Sequence, residues 1–366
     1  MESVFRSVKR ACYAGLDSVT LRREVAARVE PAVAYDAYAF STTDPDTALM
    51  THVVAQGVPD LLVNDYTGRV YPQECARLSM DMARQRTPVF YMTEQSPGMA
   101  DAMHASGIRY DLNVILAAGG RMWGAWCLMR DAGSPSTSSR ERAFLLRLAP
   151  HLARGLQSAA LLDRARTATT IGDEDAGSPG VIVLDARNQP TLRTPAVTAW
   201  LDDLADVGVD LPNGIPLSVL TMVSRLRAAP CDVPEGVSVR ARGCSGRWYM
   251  LRATLSEPDA SGACAVVVVV RPAVPREVAT LLTQLYDLSP REREIVAAIA
   301  RGESTKVIAA QLTVSPHTVA EHIGRACDKI GVRGRKALIA KLFFDGYAPL
   351  LVRSMAAEPR AQASLS

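Results

Sequence analysis

Between Ser304 and Lys329 the chain gathers side chains suited to one kind of chemistry, hydrogen bonding to a regularly charged surface. The hydroxyls of Ser304, Thr305 and Thr318 and the ammonium of Lys306 are groups that bond phosphate oxygens, and Arg325 and Lys329 suit phosphate or base edges. Glu321 stands among them as an acceptor for a cytosine amino group, and Ala320 as a methyl able to touch thymine. The charge lies in the same place. From Leu288 to Asp345 there are ten Lys/Arg and six Asp/Glu, which leaves 31 basic and 32 acidic residues of the totals of 41 and 38 elsewhere. A basic surplus confined to one short stretch is the electrostatic footprint of phosphate binding.

Three short amphipathic segments must position these groups. Ser289 caps the first, with Pro290 at its first helical position and Gly302 closing it. Ser304 starts the second, which buries Ile308, Ala309 and Leu312. Thr313, Val314 and Ser315 turn the chain, and Ser315-Pro316 starts the third, with Val319, Ile323, Ala326 and Ile330 pointing inward. A helix presented this way enters the DNA major groove while its neighbour crosses the backbone.

These residues resemble the DNA-binding domain of LuxR-type (NarL/FixJ-type) transcriptional regulators. The matching marks are Leu288-Ser-Pro-Arg-Glu-Arg-Glu294, Gly302, Ser304-Thr-Lys306, Ile308-Ala309, Leu312, Ser315-Pro-His-Thr-Val319, His322-Ile323, Lys329 and Gly331-Val332, without gaps. The resemblance implies an all-α, four-helix helix-turn-helix domain with double-stranded DNA as partner. It extends the DNA-facing set to Ser315, His317 and His322. One departure stands out. Regulators of this type often place Lys or Arg directly after the Thr-Val pair and again four residues on, where this chain has Ala320 and Gly324. Neither makes a bidentate bond to guanine, so the base code does not carry over. Glu321 then either reads a base or is a solvated acid.

The rest of the chain is read as an α+β protein. Its 366 residues suffice for two to three domains, each with a core. Hydrophobic content of 48% and charged content of 22% are those of an ordinary globular protein. Seven scattered cysteines form no CxxC pair, which argues against a disulfide framework or a zinc site and fits a reducing cytoplasm. The N-terminus has no apolar core of signal-peptide length. The longest apolar run, Ala263 to Val270, suits a buried strand and is too short to cross a membrane. Small, acidic and Gly/Pro-bearing residues from Thr167 to Gly180, and Arg271-Pro-Ala-Val-Pro275, divide the chain. The expected domains are 1–166, 177–272 and 276–345, followed by a tail over 346–366. No internal sequence repeat is apparent.

In the first domain, Ala32–Thr42 and Leu49–Val54 read as paired strands, and Pro72–Arg86 as a helix. Two strands, 111–118 and 123–130, flank Gly119-Gly120 as a hairpin. A long helix follows from Ser138 to Ala165, which Pro150 should kink or interrupt. The tract Trp123–Arg130 with Ser138–Arg142 is similar to the closing strand and helix of GAF-type sensory domains. Gly180–Arg187 with Thr194–Leu201 resembles the opening strand and helix of a PAS-type domain, with strands at 237–242, 247–253 and 263–271. A helix is also expected over Arg276–Tyr286. In the GAF-like region Tyr38, Tyr110, Trp123 and Trp126, with Tyr35, Phe40, Tyr91 and Cys127, are candidates to line a small-molecule pocket; ordinary core packing is the competing account. Leu145, Leu148, Leu152, Gly155, Ala159 and Leu162 form a seam that either pairs with a second copy or covers its own sheet.

Catalysis finds no footing in the sequence. There is no Gly-rich phosphate loop followed by Lys-Ser/Thr, no HExxH, GxSxG or kinase set, and no acidic cluster of a phospho-receiver domain. His52, His104 and His151 are isolated and read as surface or packed residues. No catalytic residue, metal site or cofactor is expected. The function expected is that of a cytoplasmic, homodimeric transcriptional regulator, not an enzyme, whose N-terminal domains sense a signal such as a small molecule. RNA polymerase is a further partner this implies. The alternative is a small-molecule sensor working through protein contacts, with weak DNA binding.

Overall fold

The computed structural model describes residues 1–75, 81, 88–167, 179–228, 235–260, 262–273, 277, 288–300, 302–330 and 332–338. Those within 1–167 and 176–273 form one compact unit, and those from 274 onward belong to a second. In the first unit, helices α1 (Glu2–Cys12) and α2 (Ser18–Val29) precede strands β1 (Ala37–Thr43) and β2 (Met50–Gln56). Helix α3 (Asp60–Asp65), strand β3 (Val89–Phe90) and helix α4 (Pro97–Ala105) follow. The long strands β4 (Ile108–Ala118) and β5 (Arg121–Asp131) turn through Gly119 and Gly120, both at positive φ, as the hairpin signal required. Helix α5 (Ser139–Thr167) closes this half.

These strands form an antiparallel sheet in the order β2-β1-β5-β4-β3. Strand alternation gives it two different faces. Phe40 stacks on Trp126, its register partner, with ring centroids 5.1 Å apart. Both are buried on the face covered by α5, where Leu156 lies against Gly124 of the same strand. The odd-numbered residues of β5, Ala125, Cys127 and Met129, point to the other face, towards the cluster built by Leu62, Met99 and Met103 of α3 and α4.

A second antiparallel sheet contains β6 (Gly180–Leu184), β7 (Pro190–Arg193), β8 (Val237–Arg242), β9 (Trp248–Leu255) and β10 (Val266–Pro272), in the order β7-β6-β10-β9-β8. Numbered within each sheet, this is the same order as the first. A topology is therefore repeated where the sequence shows no repeat, because strand order depends on pattern and turns and not on residue identity. The apolar run in β10 alternates, with Val266, Val268 and Val270 fully buried and Val267 and Val269 half-buried. Helices α6 (Pro195–Asp203) and α7 (Leu217–Ala228) complete the second core.

Helix α7 joins the two halves. Every residue from Leu217 to Ser224 is buried, Ser218, Thr221 and Ser224 included, so no polar face of this stretch is left to solvent: it is enclosed on all sides. Thr221 donates to the carbonyl of Met50 in β2 (2.8 Å). Beside it, Val207 pairs in parallel with the edge of β2: Ala55 N–H donates to Val207 O (2.8 Å) and Val207 N–H to Val53 O (3.0 Å). Gly208, at φ +75°, passes so near that a Cβ would lie 2.0 Å from the carbonyl oxygen of Ala55. Only glycine fits there. The carboxylate of Asp206 accepts from the N–H groups of Val53 (2.6 Å) and Leu217 (2.7 Å). Burial pushes its pKa up to about 6 despite these two donors. Arg240 of β8 clasps Asp44 (2.9 Å) and also contacts Asp46.

Three expectations change. Helix α5 runs through Pro150 without a break. Proline removes one donor, and the carbonyl that loses it belongs to the exposed Leu146, while Leu145, Leu148, Ala149, Leu152 and Ala153 stay buried on either side. The proposed self-pairing seam is occupied by its own chain. Leu145, Leu148, Leu152 and Ala159 are buried, and a Cβ on Gly155 would sit 3.1 Å from Cys12 of α1 and 3.2 Å from Leu21 of α2. Finally, the strand expected from Ala32 begins at Ala37. The expected helix over 72–86 falls mostly, and those over 276–286 and the linker and tail segments almost wholly, outside the described residues; Tyr66–Cys75 is a π-helical turn. Among the described residues no helix is long and apolar enough to cross a membrane.

Candidate nucleic-acid interface

The second unit is built on α8 (Pro290–Ala300), α9 (Thr305–Gln311) and α10 (Pro316–Ile330), with residues 334–338 also helical. Each start signal read from the sequence is made. Ser289 and Glu292 cap α8 reciprocally, since Glu292 N–H donates to Ser289 Oγ (3.2 Å) and Ser289 N–H to Glu292 Oε2 (2.7 Å). Ser304 Oγ accepts from Val307 N–H (3.3 Å) and Ser315 Oγ from Thr318 N–H (3.0 Å). Gly302 sits at φ +87° beyond α8. The turn between α9 and α10 places Thr313 at φ +53°, an unfavourable conformation for a β-branched residue. Ile295, Ile299, Ile308, Val319, Ile323 and Ile330 meet in one core, and Leu312 packs against it half-buried.

This core leaves one face of α10 in water. His317, Ala320, Glu321, Gly324 and Arg325 are exposed along it. Glu321 is not an isolated solvated acid. It lies 3.6 Å from His317 Nε2 and 3.9 Å from Arg325, one turn away on either side. Such exposed pairs are worth about 0–1 kcal/mol, so a phosphate can draw Arg325 away. Lys306 is exposed in the first turn of α9, beside the exposed cap Ser304. Thr318 is half-buried, its hydroxyl 2.9 Å from that of Ser315. His322 is half-buried, with Nδ1 buried and lacking a hydrogen-bond partner among the described residues.

Two of the sequence candidates serve the scaffold. Lys329 donates to Glu292 Oε2 (2.7 Å), tying the end of α10 to the start of α8. Burial alone would raise the Glu292 carboxyl, but the bonds from Lys329 and Ser289 and the lysine charge hold it below its ordinary range. The group placed to meet DNA is thus engaged by a carboxylate 4% exposed. Thr305 Oγ1 accepts from Arg335 (3.3 Å), which also donates to Glu303 O. Arg291 reaches across to the carbonyl of Leu312 (2.6 Å). Sequence reasoning passed over Glu292, although the Ser-x-x-Glu spacing of a capping box was there to be read.

The ligand candidates of the first unit do not converge. Tyr38 is buried edge-to-face with Tyr35 (5.5 Å), and Trp126 is stacked on Phe40 on the α5 face. Trp123 donates to the carbonyl of Ala118 (3.3 Å), and Tyr110 is half-buried beneath Arg109 (5.8 Å). None of the four lines a cavity of about 130 Å³ on the opposite face of the sheet; of the wider set Cys127 does. His52, read as a packed residue, is buried and lies 2.9 Å from Arg22 through Nδ1; burial and Arg22 push its pKa down to about 3.

Comparison with known proteins agrees with the geometry of the second unit. The family model of bacterial regulatory proteins, luxR family, matches residues 287–342. The probable transcriptional regulatory protein NarL of Mycobacterium tuberculosis is 48% identical over 54 residues, 15% of this chain and 25% of its own length. The spore germination protein GerE of Bacillus subtilis is 40% identical over 59 residues, 16% of this chain and 80% of its own. Among solved structures, Escherichia coli SdiA is similar at 12% identity and a TM-score of 0.28, covering 93% of this chain and 98% of that one. The chain thus spans a quarter of the length of its NarL relative and most of GerE. With capped helices, the turn and the exposed face of α10 all falling inside the matched residues, the chain belongs to the luxR family of bacterial regulatory proteins and carries their DNA-binding domain.

Proposed function

We propose that this regulator binds specific DNA sites as a homodimer, and that its N-terminal unit senses a signal and alters that binding. The observation that carries the DNA reading is the exposed face of α10, presented by a capped turn with Lys306 beside it. Two copies would read two half-sites, and a change in the first unit would alter the spacing of their helices. In this reading 1–166 is a GAF-like sensory domain, 177–272 a PAS-like domain, 276–345 the DNA-binding domain and 346–366 a tail. The protein works in the cytoplasm and acts on RNA polymerase at the promoter. Two five-stranded sheets, each with a helical cover, support the sensory assignment. Ser304, Lys306, Ser315, His317, Thr318, Ala320, Glu321, His322 and Arg325 remain the DNA-facing set.

A second reading, sensing with output through protein contacts and weak DNA binding, gains from one observation. Arg325 has a carboxylate neighbour and Lys329 is committed to Glu292. Gel shifts of the intact chain across a salt series separate the two. Affinity that falls steeply with salt supports DNA binding, and Lys306→Ala should weaken all sequences equally and reduce the salt slope by about 1. Salt-independent binding, or none at low salt, would refute it.

A further inference from the structure

The cavity of the first unit lies on the face of the sheet away from the stacked aromatics, and its walls come from both halves. Its floor is the small-residue side of the central strands, Ala39 and Ala125 with Ile115. Its roof is Val209, Leu211 and Leu217, from the strap and helix that the second sheet contributes. We propose that this cavity binds an uncharged, largely apolar small molecule carrying a hydroxyl or N–H donor. The inference rests on the sensory reading of the first unit, and gives that reading a site and a ligand chemistry.

Three observations fix the class. Among the described residues that line it none carries a charge, so an ion entering the cavity would lose its hydration with no partner among them to replace it. Two of the polar groups that line it, beside Tyr66, Asn113 and Cys127, are aliphatic hydroxyls. Ser41 Oγ already donates to the carbonyl of Ala125 (3.2 Å) and Thr67 Oγ1 to that of Val63 (2.8 Å), so both hydroxyls offer lone pairs and want a donor. Asn113 donates to Asp111 (2.8 Å), a buried carboxylate just behind the wall that also accepts from Met92 N–H (2.7 Å) and Thr93. A negative group behind the lining further disfavours an anion. Third, six of the twelve methionines of the chain line the cavity. Unbranched thioether side chains repack around an irregular guest, so the site suits a flexible or fused apolar body and does not require one fixed outline.

The site also sits where occupancy would be felt. Val53 and Leu217 both line it, and the same Asp206 carboxylate holds the N–H groups of both. A guest that parts floor from roof works directly on the junction of the two halves.

The test uses the full-length chain, without DNA, and a matched pair of dyes. N-phenyl-1-naphthylamine is neutral, apolar and carries one N–H; 8-anilino-1-naphthalenesulfonate has the same frame plus a negative charge. The neutral dye should show saturable fluorescence enhancement at one per chain, with affinity about tenfold or more above that of the sulfonate. Ala125→Leu, which fills the floor, should reduce neutral-dye affinity at least about tenfold with near-ultraviolet circular dichroism unchanged. Leu211→Ala, a milder change in the roof, should shift that affinity at least about threefold and keeps the test open if the first variant does not fold. Equal binding of the two dyes, or full affinity retained in a folded Ala125→Leu chain, overturns the site; full affinity retained in Leu211→Ala overturns the shared roof. Because DNA is absent, either failure is distinct from failure of the DNA-binding reading, which gel shifts report.

Discussion

Replacing Lys329 separates a scaffold role from a DNA role. Its ammonium lies 2.7 Å from Glu292 Oε2, with the lysine side chain 39% and the glutamate 4% exposed. Removing one partner of a fully buried pair costs about 3–5 kcal/mol, and of an exposed pair about 0–1 kcal/mol. Here the lysine reaches solvent and the carboxylate keeps its bond from Ser289 N–H, so Lys329→Ala should destabilise the second unit by about 2 kcal/mol. All four tryptophans lie outside this unit, so hydrogen exchange of α10 amides is the suitable assay. Exchange should quicken about 30-fold, since 1.4 kcal/mol is a factor of ten. In a Glu292→Gln background the same substitution should cost about 0.5 kcal/mol or less, because the buried charge is gone. The pH dependence follows from the depressed carboxyl. Its stabilisation is present above the unfolded value of 4.5 and is lost as pH falls through the lower folded value, so the two proteins should converge in that acidic range. DNA binding by the folded variant should keep the wild-type salt slope. Unchanged exchange together with a salt slope lower by about 1 would refute the scaffold role and return Lys329 to the DNA.

Three other outcomes are expected. Glu321→Ala removes a negative charge and releases Arg325, so affinity should rise for every site, with parallel profiles over single-base operator variants; a loss of about 1–3 kcal/mol of discrimination at one base pair would make Glu321 a base reader. Thr313→Asn places a residue tolerant of positive φ in an exposed turn and should slow exchange in α9 and α10 by an amount equal to about 0.5–1 kcal/mol, whereas faster exchange would show that the threonine is not strained. Asp206 has its pKa raised from 3.8 to about 6, so the stability it contributes is full below 3.8 and is lost as pH rises through about 6. The wild-type minus Asp206→Asn difference in urea midpoint should decline across that window, with Asp111, also raised to about 6, contributing equally to both proteins; a flat difference would refute the assignment.

The sequence determined the starts and the inward faces of α8, α9 and α10, because helix caps, a left-handed glycine and 3.6-residue periodicity are local properties. Ser289, Ser304 and Ser315 each cap the helix they were expected to cap, and Val319, Ile323, Ala326 and Ile330 are inward. It also located eight of the ten strands that the described residues of the first unit form, missing the two-residue β3 and the short β7, since alternation needs several residues to register. Helix α7 escaped for another reason: enclosed between the two halves, it buries Ser218, Thr221 and Ser224 along with its apolar residues, so its polar positions do not mark a solvent face. Side-chain partners at long range were beyond any local signal. Lys329 and Glu292 are 37 residues apart, and Asp206 meets Val53 across 153; such pairings exist only once the chain has folded. The expected aromatic lining and this cavity lie apart for a related reason. Aromatic side chains mark volume, and on a strand the large residues fill one face while the free space is left on the other, beside Ala39, Ala125 and the methionines. Which face faces a void depends on what packs against it, here a roof supplied by residues 84 to 178 positions away (Val209 from Ala125, Leu217 from Ala39), and that only the tertiary structure decides.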